Sequence, residues 1–287
     1  MINKRIGVFD CINIVVLLVT GLVMLFPFWN VVMTSFVSGQ EFYSRPFILW
    51  PREFVLDSYQ MIFRNNQIID AIMVTVFVTV IGTLYSMLMT TSLSYGMSIP
   101  QFPGKKFIMI LIVMTMYINA GLIPYYLLVR NLGMINSIWV MIIPYAISVW
   151  SFIVIRSFMR QLPDSLRESA MLDGGNELQI YIRIILPLSL PALAAFTLFY
   201  AVDYWNTWWA ATLFITDRRY HPLQYILREM VIRGVRPVAE VVGRGSAFYD
   251  TGVKMATVVV ATVPILCVYP FLQKYFVTGI TLGAIKG

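Results

Sequence analysis

The chain has 287 residues, of which 59% are apolar and 12% charged, against about 25% charged in an ordinary soluble domain. Together with a mean hydropathy of +0.76, this predicts an integral membrane protein with no room for an added soluble domain of normal size. The net charge of +7 suits cytoplasmic loops and anionic headgroups better than nucleic acid, because the basic residues are sparse and scattered.

In chain order, Lys4 and Arg5 precede a long apolar run that lacks a small-residue cleavage site, so it reads as a retained first span over 12–36 rather than a signal peptide. Further spans are expected at 70–95, 107–129, 137–157, 189–214 and 254–277, six in all, since about 20 apolar residues cross a bilayer as helix. The runs are too long and too uniformly apolar for barrel strands. The expected fold is therefore an all-α, polytopic membrane protein, one transmembrane domain over 1–287 with its core at about 70–277. Long loops at 37–69 and 216–252 carry Arg, aromatics and Pro, whereas the connections at 96–106 and 130–136 are short.

Cys11 and Cys267 are isolated in apolar surroundings and read as small packing residues, with neither a disulfide framework nor metal-ligand spacing. No metal site is expected. The 17 methionines read as lipid-facing or core fillers. His221, beside Pro222 in a long loop, is expected at the surface rather than in catalysis.

The most polar interruption between apolar runs is Leu162–Pro191. Ser165 followed by Glu168 has the spacing of a capping box, so a helix is expected to begin there. Gly174-Gly175 is expected to close it with a left-handed C-cap. Asn176 can cap a second helix, with Glu177 in its first turn and Pro187 at its end. Ser169, Ala170 and Gly174 give this turn a small-residue surface for another protein, edged by Glu168 and Asp173.

The fifth span ends in Tyr200, Asp203, Tyr204, Trp205, Asn206, Trp208 and Trp209. Aromatic faces suit the C–H patches of a sugar, and amides and carboxylates suit its hydroxyls. The tryptophans equally suit an aromatic belt at the membrane interface, but polar groups such as Asp203 and Asn206 in a span usually face a cavity. Tyr117, Asn119 and Trp150 are further candidates that also suit core packing. Arg218, Arg219, Arg228, Arg233, Arg236 and Arg244 make the 216–252 loop basic. They suit either a solvated face against an acidic protein or attraction of uronate-bearing oligosaccharides.

Counting only short loops, Lys105 and Lys106 against Arg130 favour an N-in orientation. With six spans, both termini, the 162–187 loop and the 278–287 tail would then be cytoplasmic, and the two long loops outside.

The pattern Glu168-Ser169-Ala170, Asp173-Gly174, then Ile184, Leu186 and Pro187, resembles the Glu-Ala-Ala loop of permease subunits in ATP-binding-cassette importers. Ser169 replaces the first alanine of the family pattern and keeps the side chain small. The tail 279–287 resembles that of carbohydrate permeases of the maltose-transporter type, second permease. The stretches 120–144 and 204–224 resemble the subgroup handling oligosaccharides and polysaccharide fragments. The resemblance implies a type I importer permease in the plasma membrane, paired with a second, homologous permease and two ATPase subunits and served by an extracellular solute-binding protein. Residues 162–187 would couple it to the ATPases, with Glu168, Ser169, Ala170, Asp173, Gly174, Ile184, Leu186 and Pro187 at the contact. The substrate pathway would use Asp203, Tyr204, Trp205, Asn206, Trp208, Trp209, Tyr117 and Asn119. ATP and Mg belong to the partners, because this chain lacks the G-x-x-x-x-G-K-[ST] phosphate cradle; no cofactor and no enzymatic activity are expected of it.

Two other classes compete. An ion-coupled secondary transporter usually shows an inverted repeat and mid-membrane ionisable groups; no repeat is apparent, and Asp203 is the only strong ionisable candidate. A membrane enzyme such as a glycosyltransferase needs clustered carboxylates or a metal cluster, and the 14 acidic residues are scattered. Neither accounts for the Glu168–Pro187 pattern.

Overall fold

The computed structural model describes residues 7–45, 47–64, 66–232 and 251–267. Among them every regular element is helical: α1 Val8–Ser35, α2 Gly39–Ser44, α3 Asp57–Arg64, α4 Asn66–Ser98, α5 Lys105–Tyr117, α6 Leu122–Asn131, α7 Val149–Met159, α8 Asp164–Leu172, α9 Glu177–Ile180, α10 Leu186–Trp205, α11 Trp209–Phe214, α12 Leu223–Ile232 and α13 Thr251–Cys267, with short 3-10 turns between some of them. The chain divides into one unit of residues 1–69 with 229–263 and another of 70–228 with 264–287.

In the first unit, α1 is apolar all round and buried only at its last turn, Met33, Thr34 and Ser35, the pattern of a helix solvated by lipid. The segment after it folds back onto that end. Trp29 donates from Nε1 to the Leu49 carbonyl at 2.9 Å, and Asn30 donates to the Ile48 carbonyl at 3.2 Å. Val37 and Ile48 pack with Met33, the Phe36 ring lies 5.0 Å from that of Tyr59, and the Tyr59 hydroxyl meets Ser35 Oγ at 2.8 Å. Glu41 accepts from Arg45 and from the backbone N–H of Arg52. What the sequence presents as a loop at 37–69 is thus a small ordered cap containing α2 and α3.

In the second unit, α4 and the helix running from Glu177 to Trp205 form a pair joined by side-chain rungs. Ser86 Oγ meets Tyr204 Oη at 2.8 Å, Thr90 Oγ1 meets Tyr200 Oη at 2.7 Å, and Thr91 Oγ1 meets Tyr181 Oη at 2.6 Å. Gly82 completes the seam: a Cβ there would lie 2.8 Å from the Tyr204 ring. Lipid tails are as apolar as leucine, so association inside a bilayer relies on close packing and hydrogen bonds. Each such rung contributes on the order of 0.6 kcal/mol, and small residues let the backbones approach. Gly82, Ser86, Thr90 and Ser94 recur every four residues on α4, which puts them on one face.

The expected spans are only partly matched. Among the described residues three helices are long and apolar enough to cross a membrane: Val8–Ser35, Asn66–Ser98 and Glu177–Trp205. The expected span at 107–129 is broken into α5 and α6 at an angle of 119°, and that at 137–157 into Ile138–Tyr145 and α7 at 46°. The first break is local chemistry. Asn119 Oδ1 accepts the Gly121 N–H at 2.9 Å, and Gly121 sits at φ +83°, which glycine adopts without steric cost. At the second, Pro144 falls in a 3-10 turn and Ser148 caps the N-terminus of α7. Counting each bent pair as one span gives five among the described residues. The sixth expected segment, 254–277, is described only as far as Cys267, and the 278–287 tail lies outside the described residues.

Pro187 does not end the second helix of the central stretch, contrary to expectation. Residues Tyr181–Ile185 form a π turn that joins α9 to α10, giving one helix over Glu177–Trp205. Proline lacks an N–H, and its ring crowds the carbonyl four residues earlier. The wider π turn opens that site, so the chain continues through Pro187; Pro191 lies further on, inside α10.

Candidate functional site

The turn at 173–176 is fixed by its own residues. Gly174 has φ +84°; its N–H donates to the Met171 carbonyl at 3.0 Å, and the Gly175 N–H donates to Ala170 at 2.9 Å. This is the Schellman pattern that satisfies the last carbonyls of a helix. A Cβ on Gly175 would lie 2.8 Å from the Ala170 oxygen, so two glycines are needed for two different reasons. Asn176 Oδ1 accepts the Gln179 N–H at 2.9 Å, and Gln179 Oε1 accepts the Asn176 N–H at 3.0 Å, a reciprocal capping box. The capping box expected at Ser165 and Glu168 is absent: α8 starts at Asp164 after Pro163, with no side-chain cap. Proline supplies a helix-entry φ without needing an N–H partner.

Glu177 ties this turn to α4. It accepts from the Tyr95 hydroxyl at 2.5 Å and from both Nε and Nη2 of Arg167. The hydrogen bonds to the Glu177 carboxylate push the Arg167 guanidinium further above its ordinary range. Tyr95 stacks on Tyr181 with ring centroids 5.1 Å apart, and Ile155, Met159, Ile180, Ile185, Leu193 and Phe196 close a buried cluster around them. Outside this anchored base, Glu168, Ser169, Asp173 and Gly174 are exposed, while Ala170, Ile184 and Leu186 are half-buried against the cluster. Pro187 is exposed. Leu172, which composition did not single out, is 90% exposed at the tip, and Leu178 is exposed beside it. Two apolar side chains therefore flank the small-residue surface.

At the opposite end of the same helix lies a cavity of about 370 Å³ lined by Asp203, Tyr204, Asn206, Thr207, Trp208 and Trp209, with Tyr200, Tyr145, Ser148 and neighbouring backbone. Its walls are held from outside. The Tyr200 hydroxyl accepts the Ser148 N–H at 2.9 Å, and Tyr204 donates to the Ile142 carbonyl at 3.2 Å. Trp208 and Trp209 meet edge to face at 5.4 Å, and the Arg228 guanidinium lies over the Trp208 ring, 4.0 Å from its centroid. The cavity thus offers flat aromatic faces, one carboxylate, one amide and hydroxyls, the inventory that suits a polyhydroxylated ligand.

Of the expected pathway residues, Asp203, Tyr204, Asn206, Trp208 and Trp209 come together here. Trp205 does not: it is buried against a separate apolar cavity of about 210 Å³ with Val76, Thr79 and Leu198. Successive helical residues turn by about 100°, so Tyr200, Asp203, Tyr204 and Thr207 share a face that Trp205 leaves. Tyr117 and Asn119 are exposed at the α5–α6 break, neither in this cavity nor in a core. Trp150 is half exposed and packs on Phe196 and Phe199. His221 is buried, not at the surface: its Nε2 is 3.4 Å from the Ile215 carbonyl and its ring lies against Tyr225. Cys11 and Cys267 are exposed free thiols rather than packed ones. Arg233, Arg236 and Arg244 lie outside the described residues.

Comparison with known proteins agrees with this architecture. Residues 71–282 match the model of the family described as "Binding-protein-dependent transport system inner membrane component". The polygalacturonan/rhamnogalacturonan transport system permease protein YtcP of Bacillus subtilis (strain 168) is 43% identical over 281 residues, 97% of this chain and 98% of that protein. Protein LplC of the same organism is 37% identical over 289 residues, 100% of this chain and 98% of that one. A chain from the crystal structure of a bacterial ABC transporter that imports the acidic polysaccharide alginate superposes with a TM-score of 0.89. It is 28% identical, with 94% of this chain and 96% of that chain covered. The protein belongs to the family of binding-protein-dependent ABC importer permeases: it is an all-helical membrane subunit for carbohydrate import, a transport component rather than an enzyme.

Proposed function

We propose that the chain forms half of a translocation pathway for acidic, uronate-containing oligosaccharides. The observation that carries this reading is the similarity, along nearly the whole chain, to a polygalacturonan/rhamnogalacturonan permease; the superposition on an alginate importer chain supports it. In this reading a second, homologous permease supplies the other half, and two ATPase subunits bind the nucleotide and Mg. Both termini and the 162–187 turn face the cytoplasm, and a solute-binding protein delivers sugar from outside.

Glu168, Ser169, Ala170, Asp173 and Gly174, with Leu172 beside them, sit in a groove of one ATPase. Ile184, Leu186 and Pro187 belong to the base that transmits the push. ATPase closure then moves a rigid element rather than a flexible loop, because the turn is capped at both sides and joined through Glu177 to α4. A stiff element of this kind converts a local displacement into a switch of helix packing. Asp203 and Asn206 accept and donate hydrogen bonds to sugar hydroxyls, while Trp208 and Trp209 cover the ring faces.

The test is uptake of labelled oligogalacturonides into proteoliposomes holding the complete complex, with binding protein outside and ATP on the ATPase side. Uptake that needs both ATP and binding protein supports the reading. Uptake driven by an imposed proton or sodium gradient without ATP contradicts it and favours a secondary transporter.

A further inference from the structure

Among the described arginines of the 216–232 region, Arg228 contacts a residue that lines the cavity, Trp208, although it does not line the cavity itself. Arg219 is paired with Asp217 on the surface, which holds the Asp217 carboxyl down at about 2, and Arg218 has a partner of its own. Arg228 is half-buried on α12 with its guanidinium over the Trp208 ring. No carboxylate or other acceptor takes its N–H groups among the described residues. A half-buried cation without a counter-charge is costly, and the indole face offsets only part of that cost, about 0.5–2 kcal/mol in typical settings. The contact with the indole is not a hydrogen bond and so does not use up the guanidinium donors, whose fork geometry matches a carboxylate.

The cavity itself poses a problem for an acidic sugar. Among the described residues Asp203 is its one charged lining residue, so a uronate carboxylate lying against Asp203 would be repelled. An acidic oligosaccharide fits only if its carboxylate lies elsewhere while its hydroxyls face Asp203. The Trp208 edge offers that place, because Trp208 both lines the cavity and carries Arg228.

We propose that Arg228, held over Trp208, is a specificity-determining residue that binds the carboxylate of a uronic acid unit while Asp203 takes the hydroxyls of the same chain. This rests on the acidic-oligosaccharide reading above and adds which residue makes the distinction and by what contact.

The experiment is equilibrium binding of trigalacturonate and of its fully methyl-esterified form to the complete complex in nanodiscs, without binding protein, so that selectivity comes from the membrane subunits alone. Arg228→Gln is expected to weaken binding of the acid roughly tenfold or more, as for loss of a charge-assisted hydrogen bond, and to leave the ester unchanged. Arg228→Lys keeps the charge but not the planar fork; it should weaken the acid less, again sparing the ester, and it decides the matter if the glutamine variant fails to assemble. Trp208→Ala should weaken both forms, since it removes the stacking face and the support of Arg228. Equal losses for acid and ester in both Arg228 variants, or no loss in either, would overturn the proposal. A wild-type complex that binds the ester as well as the acid overturns it while leaving oligosaccharide transport standing. A wild-type complex that binds neither overturns the acidic-oligosaccharide reading beneath it.

Discussion

The two ends of the helix Glu177–Trp205 are built on opposite principles. The turn end satisfies its own polar groups: Asn176 and Gln179 cap each other, Gly174 and Gly175 close α8, and Glu177 is claimed by Tyr95 and Arg167. It presents a stiff, small-residue surface with Leu172 at its tip. The cavity end instead sets the Asp203 carboxylate and aromatic faces against open space, while Asn206 and Thr207 bond back to the Val202 and Asp203 carbonyls and Ser86, Thr90 and Ser148 hold Tyr204 and Tyr200. A body that must transmit force has its hydrogen bonds spent internally; a site that must receive a ligand turns ring faces and a carboxylate, here Asp203, toward the cavity. The same tyrosine-to-α4 seam serves both ends, so a displacement at one is felt along the whole helix.

The contrast can be broken most severely at Glu177. Glu177→Ala strips the acceptor from Tyr95 and from a partly buried Arg167, and should cost about 2–3 kcal/mol by the usual worth of charge-assisted hydrogen bonds. It should also lower sugar imported per ATP hydrolysed, because the turn is no longer tied to α4. Thermal unfolding of the purified complex and a transport-to-hydrolysis ratio measure the two effects; an unchanged ratio would mean that Glu177 serves folding alone.

Next comes Gly82→Val. Its Cβ must push the Tyr204 ring out of place, with overpacking typically costing about 1–3 kcal/mol. Substrate binding should suffer while binding-protein-independent ATP hydrolysis survives, which separates the cavity end from the turn end.

Tyr200→Phe is milder. It removes the hydroxyl that joins Thr90 and the Ser148 N–H, a loss of about 1 kcal/mol, visible as a small fall in unfolding temperature and slightly weaker sugar binding.

Asp217→Asn should do least. The hydrogen bonds from Arg219 depress the Asp217 carboxyl to about 2. Whatever this surface pair contributes is fully present above the ordinary carboxylate value of about 3.9 and is lost only as pH falls through about 2. Any difference in uptake between the variant and the wild type should therefore be constant between pH 5 and 8, and small, because the pair is solvent-exposed.

How much of this could be read in advance follows the same division. Asn176 and the Gly174 turn were legible because their conformation is set by immediate neighbours. Pro187 misled because a π turn, invisible to local rules, absorbed it. Ser165 misled because Pro163-Asp164 already offered a start to the helix. The broken third span carried a local signal in Asn119 and Gly121 that overall hydropathy hides. The cavity was legible in composition but not in membership: Asp203, Asn206, Trp208 and Trp209 stood out, yet only helical phase separates Trp205 from Tyr204 and brings in Tyr200 and Thr207. The recurrence of Gly82, Ser86, Thr90 and Ser94 at intervals of four was present in the sequence and predicts a packing face. Arg228 could not be singled out among six arginines, because its distinction is a contact with Trp208 twenty residues earlier.

The most direct test of the coupling role is binding-protein-stimulated ATP hydrolysis by the complete complex in lipid, comparing wild type with Gly174→Val and Gly174→Asn. Gly174 is exposed, with open space where a Cβ would go, so the substitution acts through its left-handed backbone, which asparagine tolerates and valine does not. Valine is expected to abolish stimulation in complexes that still assemble, while asparagine retains most of it. Full stimulation and uptake with valine would remove the turn from the coupling path.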